Sequence, residues 1–600
     1  MQSSGNQARL RAATSERRRN AAIPTILPRV GGSIRGMPPL PPAPRHARTW
    51  LLALLILLAL GAGIGLRDPS PPDEPRFALA ARAMVDSGDW LVPRRGHEAY
   101  AEKPPVFMWM QAASWTVVRD WRVAFLLPSL LAALATLALV HAAAGRLWSR
   151  RHAPWAMGAL FVCLQFGLQA KRAQIDMVLV ALTTLSLCAL LRHLLAGRDR
   201  RWLAVAMFAA GLGTVTKGVG FLPLLVLLPW LGVRRRQTHL PTRRVAGDAA
   251  LALAAFAAGA AVWLAPLGLA LLRNPDPALQ AYAHELLFRQ TGERYVNAWH
   301  HVQPPWYYAQ TIATLWLPGA LLLPWLLPAW WRRLRRGDPR YVLLLGWAAL
   351  VLLFFSLSPG KREVYVFPAL PALCLAAAPL LPALLRRAGV RRLLCGWLLL
   401  VGALCLGAAT SGLADAAWAA RLAASRGIEP ADMRTLLWAL GVLGAGAWVL
   451  AAVFRGRRIA LALVLFTAMV WMTYGLALAP ALDASSSGRA LMQRVDTRIG
   501  ADGELGAVAW REQHLLQARR PMTEFGFKRP WHLQWRDAAA WAAQAPERRW
   551  LWLPDEALNP CVDRGRALRM GRASRQDWWL VAGTDIDPHC QAPPFARDGD

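Results

Sequence analysis

Blocks of about 20 apolar residues recur along most of this 600-residue chain, and that spacing constrains the fold more than any other feature. A helix needs about 20 such residues to cross a hydrocarbon layer ~30 Å thick, and in lipid only helices and closed barrels satisfy their own backbone polar groups. The blocks are continuous rather than alternating, so the expected fold class is a polytopic α-helical membrane protein. Composition agrees, with 55% hydrophobic residues and a mean hydropathy of +0.28.

Candidate spans fall at 49–66, 123–144, 153–170, 175–191, 202–216, 218–233, 246–272, 308–330, 341–357, 364–385, 393–413, 434–453 and 459–480, about thirteen in all. The connectors test this reading independently. Those at 146–152, 192–201, 234–244, 331–340, 386–392 and 455–458 each carry three to five arginines, whereas the alternate connectors are mixed or acidic. Short cytoplasmic loops are enriched in Lys and Arg, so the alternation puts the N-terminus in the cytoplasm. An odd number of spans then puts the tail outside. The formal net charge of +33 is explained by this topology, and no nucleic-acid partner is needed.

Three regions follow. Residues 1–48, rich in Arg, Pro, Gly and Ser, read as a disordered basic cytoplasmic arm. Residues 49–480 form the transmembrane domain; its first span lacks a small-residue cleavage site and reads as uncleaved. Residues 481–600 read as a small periplasmic α/β domain, with β-like runs ELGAVAW, RRWLWLP and DWWLVAG and a helix-like DAAAWAAQA, and without a catalytic motif. Five of the seven cysteines lie in apolar runs and behave as small hydrophobes; Cys561 and Cys590 lie in the tail, where an oxidising compartment allows a disulfide. No obligate protein partner is evident.

On this topology the outer face receives 67–105, the turns near 171–175, 214–218 and 358–363, and the long segment 273–306. The loop 67–105 is the densest in chemical groups, including Asp73, Glu74, Arg76, Tyr100, Glu102 and Lys103. Arg76 to Val85 reads as an amphipathic helix with Phe77, Ala80, Ala81 and Met84 on one side, and Asp73 and Glu74 could simply cap it, with Pro75 near its first position. The other turns supply Arg172 and Asp176, Lys217, and Lys361, Arg362 and Tyr365. An ionisable group costs about 2.5–3.5 kcal/mol at a span centre and less near its ends, so charges at such boundaries are functional candidates, with snorkelling structural residues as the alternative. Cations at a lipid surface suit a phosphate on a lipid; carboxylates suit activation of a hydroxyl, a divalent ion or a sugar. Together they point to group transfer from a lipid phosphate.

The segment DEPRFALAARAMVDSGDWLVPRRGHEAYAEKPPVFMW closely resembles the first external loop of bacterial aminoarabinose transferases and of the wider dolichyl-phosphate-mannose-protein mannosyltransferase-like family, whose fold is the GT-C glycosyltransferase fold. The matching pattern is D-E-x-R, then SGDW, then Y-x-E-K-P-P. KRAQIDM, GLGTVTKGVGFLP, ELLFRQTGERYVNAWHHVQPPWYY and SPGKREVYVFPALPAL resemble later pieces in order, which covers the chain to about residue 375.

The resemblance implies inverting transfer of a sugar from a polyprenyl-phosphate donor to a periplasmic-face acceptor, lipid A or another envelope glycan. A protein acceptor and a lipid-phosphate flippase are the alternatives. It implies catalytic roles for Asp73, Asp176 and Glu102, and donor-phosphate contacts from Arg76, Lys103 and Lys217, with Lys361 and Arg362 as further cations of the same face. Glu74, Tyr100, Arg172, Arg294, His301 and Tyr365 would line the substrate site. A divalent ion shared by Asp73 and Asp176 is left open, since two carboxylates are too few ligands to identify one.

Overall fold

The computed structural model describes residues 45–600 except 198, 235–241, 275, 289–301, 574, 588–589, 591–593 and 596–600. The basic arm lies almost wholly outside the described residues, as do Arg294 and His301. Among the described residues, seven helices are long and apolar enough to cross a membrane: Trp121–Leu147, Ile175–Leu195, Gly247–Arg273, Pro339–Leu357, Ala388–Leu413, Pro430–Phe454 and Ile459–Ile499. The number is nine if each of two bent pairs is one span. The other expected spans are helical but shorter or less apolar, at Trp50–Gly61, Arg200–Lys217, Leu222–Val233 and Ala369–Ala377 with Leu381–Leu384.

The bent pairs bear on the site. Ala153–Phe161 and Leu164–Ala170 meet at 74°, and Tyr307–Leu315 and Gly319–Arg335 meet at 102°. Backbone freed by such a break must find partners inside the protein, and the two breaks supply them to each other. Leu164 N donates to Leu317 O at 3.1 Å, and Trp316 Nε1 donates to Gln165 Oε1 at 2.6 Å. Gln165 Nε2 in turn donates to Glu363 O at 2.8 Å, which fixes the turn carrying Lys361 and Arg362. Elsewhere small residues let helices approach. A Cβ on Gly211 would run into the Phe256 carbonyl, and one on Gly259 into that of Phe208, so the helices Arg200–Lys217 and Thr242–Arg273 cross in close contact only with glycine there.

Beyond the last long helix lies a five-stranded sheet of order β4-β3-β5-β7-β6, with β3 Glu504–Ala507, β4 Met522–Glu524, β5 Arg549–Pro554, β6 Leu568–Ala573 and β7 Gln576–Ala582. Strands β1 (Arg94–Arg95) and β2 (Glu98–Ala99) form a separate hairpin in the loop 67–105. β3 runs parallel to β4 and β5, whereas β7 is antiparallel to β5 and β6. The three β-like runs of the sequence are β3, β5 and β7, and the alanine-rich stretch lies in the helix Trp531–Ala543. Trp552 stacks on Trp578 at 5.1 Å, and His514 packs edge-on to Trp578 at 4.0 Å. Burial, reinforced by Arg511, pushes the His514 imidazole down to about 3, so it is neutral and acts as an aromatic core residue.

Cys561 and Cys590 are joined in a disulfide that closes a loop with a sequence separation of 29. Cross-linking a loop of that length stabilises a fold by about 3–4 kcal/mol on the chain-entropy account. Reduction with dithiothreitol, or Cys590→Ser, is therefore expected to lower the unfolding midpoint of the sheet region, followed by tryptophan fluorescence, while the transmembrane helical signal is unchanged.

Candidate functional site

The helix Glu74–Ser87 starts where its sequence says it should, with Asp73 at the N-cap position and Pro75 in the first turn. Phe77, Ala80, Ala81 and Met84 are all buried along one side of it. The Asp73 side chain, however, makes no capping bond. Its Oδ2 accepts instead from Gln174 Nε2 at 3.0 Å and from Arg362 Nη2 at 3.1 Å. Burial works against its charge, yet the Arg362 guanidinium, helped by Arg76 and Lys217, holds the carboxyl below the usual carboxylate range. Asp73 is thus an ionised group at neutral pH, held between two segments about 100 and 290 residues away in sequence, as the separations of 101 and 289 show. The capping alternative fits its backbone position and not its side chain.

Asp176 and Lys217 reach the same region from two helix ends. Asp176 lies in the first turn of Ile175–Leu195 and Lys217 in the last turn of Arg200–Lys217, which is the favourable sign at each dipole end. Gly218, at φ 79°, closes the second helix in a backbone conformation that side-chain-bearing residues rarely adopt. The two side chains form an ion pair, and the Lys217 ammonium also lies 5.4 Å from the centre of the Tyr365 ring. Arg362 feels both Asp73 and Asp176, so the four groups share one field.

A second cluster adjoins the first through Arg76. Arg76 and Arg95 alternate with Glu102 and Glu512 in a closed ring of ion pairs: Arg76–Glu102 at 3.4 Å, Glu102–Arg95 at 3.3 Å, Arg95–Glu512 at 3.3 Å and Glu512–Arg76 at 3.1 Å. Burial opposes the Glu102 charge, but Arg76, Arg95 and Lys103 outweigh it and hold the carboxyl low. Burial, seconded by Glu102, raises the Tyr100 phenol, which stays protonated beneath Arg95 at 5.4 Å. The Arg95 guanidinium also lies 3.7 Å from the centre of the Phe527 ring. The hairpin β1–β2 carrying Arg95 is clasped by the sheet region: His97 N donates to Glu524 Oε1 at 2.8 Å and Lys528 N to Glu98 Oε2 at 3.3 Å. Gly96 at the hairpin turn has φ 67°, and a Cβ there would strike the Glu524 carboxylate.

Most of the expected residues therefore meet, but not all do the same work. Asp73, Arg76, Tyr100, Glu102, Asp176, Lys217, Arg362 and Tyr365 converge, and half-buried Lys103 contributes to the field on Glu102. Glu74 does not face this space. Its carboxylate takes two bonds from Arg67, at 2.6 and 2.8 Å, and one each from Ser70 N and Ala173 N, both at 2.8 Å, so it is spent on joining the loop to the turn 171–174. The Lys361 ammonium is likewise turned to the backbone, donating to Ser358 O at 2.7 Å and Gln303 O at 3.2 Å. Arg172 is exposed. Sequence reading missed Gln174, Arg95 and Glu512. Gln174 and Arg95 flank motifs already singled out, whereas nothing around Glu512 marks it.

The donor set gives no support for a divalent ion. Asp73 and Asp176 each face a cation, and among the described residues no three His, Cys, Asp or Glu side chains gather with metal-ligand spacing.

Residues 102–263 match the family model described as dolichyl-phosphate-mannose-protein mannosyltransferase. The undecaprenyl phosphate-alpha-4-amino-4-deoxy-L-arabinose arabinosyl transferase of Pseudomonas savastanoi is 31% identical over 335 residues, 55% of this chain and 60% of the relative. That of Pseudomonas aeruginosa strain LESB58 is 35% identical over 315 residues, 51% of this chain and 54% of the relative. The chain thus spans a little more than half the length of these curated relatives. The crystal structure of ArnT from Cupriavidus metallidurans bound to undecaprenyl phosphate superposes with a TM-score of 0.66 at 20% identity, covering 91% of this chain and 100% of the other. The architecture is therefore the GT-C glycosyltransferase fold, in a multi-pass membrane protein. Within that fold the chain is similar in sequence to bacterial aminoarabinose transferases over the part that aligns with them.

Proposed function

We propose that this chain is an integral-membrane glycosyltransferase of the bacterial inner membrane that moves 4-amino-4-deoxy-L-arabinose, or a similar sugar, from a polyprenyl (undecaprenyl) phosphate to lipid A at the periplasmic face. The observation that carries this reading is the convergence of Asp73, Arg76, Glu102, Asp176, Lys217 and Arg362 from four separate segments beside the ends of membrane-length helices. The names of the aligned relatives supply the sugar and the lipid carrier.

In the reaction the bond between the anomeric carbon and the donor phosphate oxygen breaks, and the acceptor oxygen bonds to that carbon from the opposite side, inverting it. The electron pair leaves with the polyprenyl phosphate. In this reading Arg76, Lys103 and Lys217 stabilise the charge that grows there. Asp73, held ionised and low in basicity, suits orientation of the acceptor and of the developing positive charge on the sugar more than removal of a proton from a weakly acidic hydroxyl. An acceptor phosphate needs no deprotonation, which fits such a group. The sheet region that begins at Glu504 meets the loop through Glu512 and Phe527 and acts as its periplasmic cover.

Deleting the gene in the source organism and weighing its lipid A, surface polysaccharide and membrane glycoproteins tests the assignment. Loss of an aminopentose increment from lipid A is expected. Unchanged lipid A with loss of a hexose from a membrane protein would replace this acceptor by a protein.

A further inference from the structure

A cavity of ≈ 240 Å³ is lined by Arg332, Arg333, Arg336 and Arg387 together with apolar residues that include Trp325 and Leu380. The helix Pro339–Leu357 fixes its depth. Its first residue follows Arg336 by three positions, and its last leads through Ser358 into the Lys361 and Arg362 turn. Nineteen residues at ~1.5 Å each separate the two ends by about 28 Å, close to the thickness of a hydrocarbon layer. The cavity and the candidate active site therefore lie at opposite membrane boundaries.

A requirement for arginine on one side of a membrane explains how many there are and not where they point. Arg335 and Arg386 meet that requirement outside the cavity, whereas Arg332, Arg333, Arg336 and Arg387, of which only Arg333 is half-buried, line a single concave space together with apolar residues. Arg333 lies 5.0 Å from the centre of the Tyr341 ring, and Asp338, the acidic residue of this connector, is bonded to Arg340 at 2.9 Å. Among the described residues no carboxylate forms an ion pair with Arg332, Arg333, Arg336 or Arg387. Asp338 feels the field of Arg333, and the four like charges together favour entry of an anion into the hollow. Trp331, next to Arg332 in sequence, is exposed at 57% with the Arg335 guanidinium 5.1 Å from its ring centre, as an aromatic anchor at a lipid interface would be.

We infer that this cavity is a binding site for an anionic phospholipid of the leaflet opposite the active site, with the phosphodiester held by the guanidinium forks and the acyl chains against the apolar lining residues. Four arginines suit a headgroup with two phosphates better than one with a single phosphate.

The test uses the purified, delipidated full chain and native mass spectrometry, titrated with tetraoleoyl cardiolipin, dioleoyl phosphatidylglycerol, dioleoyl phosphatidylethanolamine and inorganic phosphate. Half-saturation by cardiolipin is expected at a concentration at least tenfold below that of phosphatidylethanolamine. Combining Arg332→Ala, Arg336→Ala and Arg387→Ala, all at exposed positions, is expected to shrink that preference to about twofold or less, with circular dichroism unchanged. Arg335→Ala with Arg386→Ala removes charge from the same connectors outside the cavity and is expected to preserve it. A triple variant that keeps the tenfold preference, a control pair that loses it equally, or displacement of cardiolipin by equimolar inorganic phosphate would each overturn the site.

Discussion

Asp73→Asn is expected to lower sugar transfer by about 10²–10³-fold while the protein remains folded and membrane-inserted. Asparagine keeps the volume of the side chain and a partner for Gln174, and removes only the charge that faces Arg362. Arg362 is about one-third exposed, with a side-chain value of 32%, so water can take over its solvation and the unfolding midpoint is expected to move by no more than about 3 °C. The kinetic signature separates an orienting or electrostatic role from donor binding. A fall in kcat with little change in the donor KM means that the carboxylate matters in the transition state, whereas a raised KM alone would move Asp73 to ground-state binding. The low folded pKa also sets the acid limit. The charge is complete above the ordinary carboxylate pKa and is lost only as pH falls through a value below 3.8, so any activity limb nearer neutrality belongs to another group.

Glu512→Ala acts at a distance from the reacting bonds and is expected to lower both stability and transfer. It removes one corner of the ion-pair ring and leaves Arg95, with only 3% of its side chain exposed, supported by Glu102 alone on that side. Breaking a buried pair by deleting one partner costs about 3–5 kcal/mol, because the remaining charge stays desolvated. The unfolding midpoint should fall by several degrees, and amides of the hairpin 94–99 and of the segment 522–528 should exchange faster, since the clasp between them depends on Arg95 lying under Phe527. Transfer should fall as well, because Arg76 loses the carboxylate that orients its Nε. Glu512→Gln, which keeps the shape and one acceptor, should lie between the two. Unchanged exchange in both segments would mean that the sheet region is not held by this ring.

The site was legible in sequence to the extent that its chemistry is local. D-E-x-R and Y-x-E-K-P-P place Asp73, Arg76, Glu102 and Lys103 within about 30 residues, and lone charges at the ends of apolar runs marked Asp176, Lys217 and Arg362. What those groups touch was not legible. In sequence Asp73 reads as a helix cap, and the approach of Gln174 and of Arg362, 289 residues away, shows that its side chain is used elsewhere. Glu512 is 436 residues from Arg76 in a segment that carries no motif, and a buried ion pair leaves no periodic trace at either end. Glu74 adjoins Asp73 and reads as its twin, yet four donors consume it. The span count shows a related limit. Hydropathy windows register composition, so 153–170 and 308–330 read as single spans although the backbone turns by 74° and 102° within them. Those turns let Gln165 reach the carbonyl of Glu363 and so hold Arg362 against Asp73.

The most direct measurement places the purified full chain in proteoliposomes with an undecaprenyl phosphate-linked aminopentose and lipid A, and follows the mass of lipid A with time. A single aminopentose increment on lipid A is predicted, with equimolar release of undecaprenyl phosphate, abolished by Lys103→Ala and reduced at least a hundredfold by Asp73→Asn. Absence of any increment from a folded wild-type protein with that donor, or full activity in both variants, would contradict the account.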